Sequence, residues 1–282
     1  WFHGEEYGSE DFVLVRSNGV PTYVVPDIAY HYDKLVTRGF DLAIDVLGAD
    51  HHGYVPRLKA ALTALGVDAD KLQVVLMQMV RLVRDGEIVK ASKRSGKAIT
   101  LVTLLDEVPV DAARFLFNSY EANTRIDFDL DLAVQQDAEN PVYYVQYAHA
   151  RVCSILRRAA DVTPEQADEM GMKAVAAKAI GENVDYSLLT DPTELALSRK
   201  LNELTDLIAS CARDRAPFRL THFAEELAGD FHSFYAACQV LPSEGRPVDP
   251  ELSRARLAAC DAVRVTLALV LTLVGVSAPE QM

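Results

Sequence analysis

The hydrophobic pattern of the chain changes once, near Glu139, and that change limits the folds open to it. Before it, short apolar runs of strand length alternate with amphipathic stretches of helical spacing; after it, only helical spacing recurs. A chain of this kind divides into a mixed α/β part and an all-α part, and 282 residues suffice for two domains with separate cores. The division expected from the pattern is 1–136 and 137–282.

Within the first part the stretch around which the rest is organised is Gly48-Ala49-Asp50-His51-His52-Gly53-Tyr54. It follows an apolar run, Asp41 to Leu47, that reads as a buried strand, and precedes a helical pattern from Pro56 that stops at Gly66. The carboxyl end of a strand just before a helix is where open α/β sheets bind ligands. Gly48 would let a ligand approach the backbone, and Asp50 could accept hydrogen bonds from sugar hydroxyls; an ordinary polar turn is the other reading. Upstream, Phe12–Val15 and Thr22–Val25 read as strands joined at Asn18-Gly19, and Pro26-Asp27 opens a helix. Tyr23 and Asp27 flank this junction, and a carboxylate there could grip a guanidinium through paired hydrogen bonds. Alternatively, Asp27 caps the helix and Tyr23 packs.

Downstream, Leu72 to Met77 reads as another buried strand, and Met79–Val83 and Glu87–Lys90 as a hairpin turning at Asp85-Gly86. Then comes the basic loop Lys90-Ala91-Ser92-Lys93-Arg94-Ser95-Gly96-Lys97. Several cations on such a loop can offset charge on a departing pyrophosphate; a solvated loop is the alternative. Two short helices separated by Val108-Pro109 and an acidic connector, Asp127–Asp131, complete this part.

In the second part, four amphipathic helices are expected to form a bundle. They begin at Asn140-Pro141, at Asp191-Pro192-Thr193-Glu194 with the order of a capping box, after Pro217, and at Asp249-Pro250. Residues 162–190 are weakly patterned and read as a variable insertion. Tyr143, Tyr147, His149 and Arg151 on the first of these helices, with Tyr235 on another, could stack on unpaired bases and meet phosphates. A normal polar helix face is the alternative.

Composition narrows the classes. With 28 basic and 41 acidic side chains the formal charge is −13, which argues against nucleic-acid binding over the whole surface but not against a local basic patch. The four cysteines, Cys153, Cys211, Cys238 and Cys260, fall on apolar helix faces with no Cys-x-x-Cys pair, and read as reduced core residues of a cytoplasmic protein, not metal ligands. The longest apolar run, Val265 to Val276, is too short to span a membrane. The chain opens at Trp1 in mid-pattern, and the expectation is a piece of something longer.

Taken in order, these pieces resemble class I aminoacyl-tRNA synthetases, and specifically the bacterial arginyl-tRNA synthetases. Gly48-x-Asp50-x-His52 resembles the class's Gly-x-Asp-x-His element; Lys90-Ala91-Ser92-Lys93-Arg94 resembles its Lys-Met-Ser-Lys-Ser loop, with Ala91 where methionine is usual. Tyr23–His31 resembles the arginine enzymes' substrate segment, Glu139–Arg151 the opening helix of their anticodon-binding domain, and Gly275–Met282 their terminus. No His-x-Gly-His element occurs; the family places it upstream.

The resemblance implies the C-terminal half of a Rossmann-type catalytic domain, residues 1–136, followed by a helical-bundle anticodon-binding domain, 137–282. It implies ATP-dependent activation of L-arginine and transfer to the 3′ end of arginine tRNA, with ATP and Mg²⁺ entering as a substrate complex and no tightly bound cofactor or protein-held metal. By residue, it implies Lys93, Lys90 and Arg94 on the pyrophosphate; Gly48, Asp50, His52, Ser92 and Lys93 on ATP; and Tyr23, Asp27 and His51 on arginine. Tyr143, Tyr147, His149, Arg151, Tyr235 and Gln239 would meet tRNA. The expected parent is a monomeric cytoplasmic enzyme with no membrane partner, and this chain alone is expected to be inactive. A noncatalytic tRNA-binding paralogue is the alternative.

Overall fold

The structure is a computed structural model that describes residues 1–89 and 100–282. It groups the chain into two compact units: Trp1–Arg81 with Ala122–Ile126, and Leu82–Glu121 with Asp127–Met282. By contact, residues 82–121 and 127–136 therefore fall with the helical part, whereas the pattern change in the sequence lies near Glu139.

The first unit is a βαβ arrangement behind an irregular amino-terminal segment. Isolated bridges join Phe2 to Phe12 and Val15 to Pro21 around the Asn18-Gly19 turn. Thr22–Val25 is not the second strand of a hairpin: helix α1 begins at Val24 and runs to Tyr32. Pro26 sits in its first turn, where its missing N–H costs nothing and its fixed φ favours the helix. A π-helical turn, Asp33–Thr37, extends it. Strand β1, Ala43–Gly48, pairs in parallel with β2, Leu72–Met77, and helix α2, Tyr54–Ala64, makes the crossover between them. Phe12, Val24, Leu35, Ala43, Leu58, Leu62 and Leu72 form the core.

Neither strand is buried on both faces. Ile44 is 45% and Val46 60% exposed, because β1 alternates and only its Ala43 face meets the core. His31 fastens α1 to β1: its Nε2 lies 2.7 Å from Asp45 Oδ2 and its Nδ1 2.8 Å from the Asp27 carbonyl.

The chain crosses between the units within β3, Val80–Arg84, which pairs antiparallel with β4, Glu87–Ile88. Asp85 and Gly86 turn the hairpin with φ of 51° and 75°, the left-handed pair such turns require. Helices α3, Leu101–Glu107, and α4, Val110–Phe117, stand on either side of Val108-Pro109. The acidic stretch is not a connector. Ile126–Asp129 is strand β5, on the other side of β3 from β4, with Ile126 and Phe128 buried and the aspartates outward. Asp129 then caps the short helix α5, Leu130–Val134.

Helix α6, Pro141–Ala160, is capped by Asn140. Residues 162–190 are no loose insertion: they form α7, Pro164–Met170, with a capping box from Thr163 and Gln166, and α8, Met172–Ile180. Met172, Val175 and Ala176 are buried where α8 packs on α6, a stripe too short and alanine-rich to stand out in the sequence. The helix after Asp191 is divided into α9, Pro192–Asn202, and α10, Leu204–Asp214. At the division the Glu203 N–H reaches back only three residues, to the Lys200 carbonyl at 3.2 Å. Helices α11, Phe218–Ala237, and α12, Pro250–Leu273, complete the bundle, with Phe115, Phe231, Phe234, Leu227 and Leu267 fully buried. All four cysteines are free and buried. Among the described residues no helix is long and apolar enough to cross a membrane.

Candidate functional site

In the first unit, β1 delivers Gly48 at its carboxyl end, opposite Met77 of β2. A single 3-10 turn, Ala49–His51, follows and leads through His52 and Gly53 into α2. Gly48 has ordinary extended dihedrals (φ −65°, ψ 152°), so its backbone conformation does not require glycine. A Cβ there would lie 2.6 Å from Asp50 Oδ1. Asp50, His51, His52 and Gly53 are exposed, and His51 Nε2 stands 3.9 Å from Asp50 Oδ1.

Beside this turn the three residues expected to face arginine converge on a fourth that the sequence reading did not single out. Tyr54, the first residue of α2, donates its phenolic hydrogen to Asp27 Oδ2 at 2.6 Å. Its ring lies 5.6 Å from the Tyr23 ring and 6.1 Å, edge-on, from His51. Tyr54 is 8% exposed and Tyr23 66%. Burial, and then the adjoining Asp27 carboxylate, push the Tyr54 phenol well above its usual range, so it remains a donor at any physiological pH. Asp27 lies inside the first turn of α1, and its carboxylate serves this contact and not a helix cap. A depression of about 330 Å³ opens alongside, lined by Tyr23, Tyr54, Arg57, Thr22 and Trp1 among others.

Lys90, Ser92, Lys93 and Arg94 lie outside the described residues.

In the second unit, α6 carries two polar stripes. Gln146, His149 and Arg157 form the first, and each is buried against the carboxy-terminal segment. Gln146 Nε2 donates to the Ser277 carbonyl at 2.9 Å, His149 Nδ1 to that of Pro279 at 2.9 Å, and Arg157 Nη1 to that of Glu280 at 3.0 Å. A carbonyl only accepts, so Nδ1 carries the His149 proton. His149 is 2% exposed and is thus not on the face expected to meet bases. Gln239 is also engaged, donating to the carbonyls of Leu241 and Arg246 at 2.9 and 2.8 Å; it holds the turn that follows α11.

Tyr143, Tyr147, Arg151 and Arg158 form the second stripe. The Tyr143 and Tyr147 rings are nearly parallel, 6.5 Å apart at 6°. The Arg151 guanidinium lies 5.7 Å from the Tyr147 ring and 4.7 Å from that of Tyr235 on α11. Tyr147, Arg151 and Tyr235, with Arg158, Gln281 and Met282, line a depression of about 370 Å³, and Tyr143 lies outside it. Two aromatic faces, two guanidinium groups and an open hollow suit a base stacked beside a phosphate. Arg158, two turns beyond Arg151 and one beyond Ser154, follows from the same helical spacing.

His149 and His232 are both held below the ordinary histidine value of 6.5, chiefly by burial. The unfolded chain therefore takes up protons near pH 6.5 while the folded chain does not, and stability falls as pH drops below that value. Glu225, raised by burial, opposes this at lower pH. The expected result is a lower urea midpoint at pH 5.5 than at pH 7.5, with the difference reduced in His149→Asn. An equal difference in the variant would remove His149 from the account.

Residues 145–282 match the DALR anticodon binding domain family. Across its whole length the chain is 49% identical to arginine–tRNA ligase 2 of Bacillus thuringiensis subsp. konkukian and 49% identical to the arginine–tRNA ligase of Moorella thermoacetica, covering 48% and 47% of those proteins. A solved structure described as an arginyl-tRNA synthetase from Campylobacter jejuni superposes with a TM-score of 0.81 at 31% identity, over all of this chain and 57% of the other. The arginyl-tRNA synthetase of Thermus thermophilus shares the fold, with a TM-score of 0.75 at 23% identity over 96% of this chain and 51% of its own. The chain thus joins, in sequence, a parallel βαβ unit to a segment that matches an anticodon-binding domain. Along its whole length the chain is homologous to arginyl-tRNA synthetases, and it spans about half the length of the curated relatives it matches.

Proposed function

We propose that this chain supplies the carboxy-terminal part of an arginine–tRNA ligase, residues 1–136 serving the catalytic domain and 137–282 the recognition of arginine tRNA. In the first step a carboxylate oxygen of arginine attacks the α-phosphorus of ATP, which enters with Mg²⁺, and pyrophosphate leaves. In the second a ribose hydroxyl at the tRNA 3′ end attacks the activated carbonyl, and AMP leaves. Such chemistry rests on positioning and charge, so cations and hydrogen-bond donors carry it. Asp27 and Tyr23 would hold the guanidinium with His51 nearby, and Gly48, Asp50 and His52 would meet the nucleotide. Lys93, with Lys90, Arg94 and Ser92, would offset charge on the pyrophosphate. Tyr143, Tyr147, Arg151 and Tyr235 would meet tRNA bases and phosphates, in a cytoplasmic enzyme.

The observation that carries this reading is the convergence of Tyr23, Asp27 and His51 on Tyr54, next to the Gly48–His52 turn. The test is binding of the 282-residue chain to arginine tRNA, to the same tRNA with a changed anticodon, and to an unrelated tRNA, at several salt concentrations. A preference of about tenfold or more for the first, ~1.4 kcal/mol, is expected. Equal, salt-sensitive binding to all three would mean that only charge is read, and would overturn the assignment of 137–282.

A further inference from the structure

Asp27 and the nucleotide-side turn lie on different elements, α1 and the start of α2, and something must fix the carboxylate's direction for a planar cation to be held in one pose. We infer that Tyr54 is a positioning residue of the arginine site: its hydroxyl orients the Asp27 carboxylate, and through it sets selectivity for a guanidinium. The inference rests on the reading of Asp27 given above.

Three observations carry it. The Tyr54 ring belongs to the buried core of the first unit, so its hydroxyl is anchored by packing on α2 and not by a mobile surface chain. That hydroxyl donates to Oδ2 of Asp27 at 2.6 Å, the short distance typical of a donor facing an ionised acceptor. A carboxylate offers about four acceptor positions; Tyr54 takes one on Oδ2, leaving the others for the two parallel N–H groups of a guanidinium. Tyr23 and His51, the other two residues assigned to arginine, each pack on the same ring. Tyr54 is therefore the common support of all three, and it begins the helix that directly follows the Gly48–Gly53 turn. Without its hydroxyl the Asp27 side chain keeps its charge but loses its fixed direction, and a neutral analogue is rejected less well.

The experiment is steady-state aminoacylation by the full-length ligase that carries this sequence, comparing wild type with Tyr54→Phe. We expect the KM for arginine to rise about ten- to a hundredfold, the range of a hydrogen bond to a charged group. KM for ATP and for tRNA should stay within about twofold, and the preference for arginine over citrulline should fall. Placing 4-aminophenylalanine at position 54 keeps ring and donor, and should restore arginine KM and selectivity. An unchanged arginine KM in Tyr54→Phe would overturn the inference. So would a parallel loss of arginine and ATP binding with a lowered melting temperature that 4-aminophenylalanine does not repair, since that assigns Tyr54 to packing alone. A wild-type ligase that does not charge tRNA with arginine would instead refute the proposed function.

Discussion

Asp27→Asn in the full-length ligase is expected to lower kcat/KM for arginine by about 10²–10³, from the ~3–4 kcal/mol lost when one member of a desolvated charge pair is neutralised. The geometry makes the change a clean one. Asparagine keeps an oxygen that can accept from the Tyr54 hydroxyl, so the contact between α1 and α2 survives and the melting temperature should move little. What is lost is the negative charge and one acceptor facing the guanidinium, and the amide presents a donor in its place. ATP binding, assigned to the neighbouring turn, should be unaffected. Arginine-dependent pyrophosphate exchange in the presence of tRNA, set beside a thermal melt, measures both. Arginine kinetics unchanged in a folded Asp27→Asn enzyme would remove Asp27 from the substrate site, and with it the proposed role of Tyr54.

The largest effect on stability is expected at Glu194, not at an apolar core residue. Its side chain is 1% exposed and makes two contacts in different directions. Oε2 accepts from the Asp191 N–H at 2.8 Å, closing the capping box of α9, and Oε1 accepts from Arg256 Nε on α12 at 2.7 Å. Arg256 in turn donates through Nη1 to the Gln239 carbonyl at 2.7 Å, so one carboxylate ties the start of α9, the body of α12 and the turn after α11 together. Glu194→Ala removes the cap and leaves a nearly buried guanidinium without its counter-charge, a combination that costs about 3–5 kcal/mol. Glu194→Gln retains an acceptor and should cost less. Urea unfolding monitored at the helical signal reads the difference; a loss below ~1 kcal/mol in the alanine variant would show that water reaches Arg256 and replaces the partner.

How much of this could be read beforehand depended on whether the deciding interaction was local. The caps at Asn140, Asp191 and Asp249, the turn at Asp85-Gly86 and the parallel strands either side of α2 follow from a few adjacent residues, and the structure has them where the pattern placed them. Strand β5 was missed: Ile126, Phe128 and Leu130 alternate with aspartates, and that charge made the stretch read as a connector. Helices α7 and α8 were harder, because α7 buries only Ala167 and α8 only Met172, Val175 and Ala176. At the candidate sites the motifs singled out Gly48–His52 and Tyr23–Asp27, whereas nothing local marks Tyr54, at the end of the first stretch, as the partner of Asp27. His149 shares a helix with Tyr147 and Arg151, and no local signal in the sequence separates it, or Gln239, from them.

The sequence by itself determined the long helices and their caps, the strands either side of α2, the point where α/β gives way to helices, and the resemblance to arginyl-tRNA synthetases. These are recorded in periodicity, capping residues and short motifs, each spanning a turn or two of chain. Only the tertiary structure decided which polar residues serve the fold and which face outward. Tyr54 meets Asp27 across 27 positions, Glu194 meets Arg256 across 62, and His149 meets the Pro279 carbonyl across 130. The physical reason is that a local pattern shows which side of an element is apolar, but a buried polar group is satisfied by whatever donor or acceptor packing brings to it, and that partner is set by the fold.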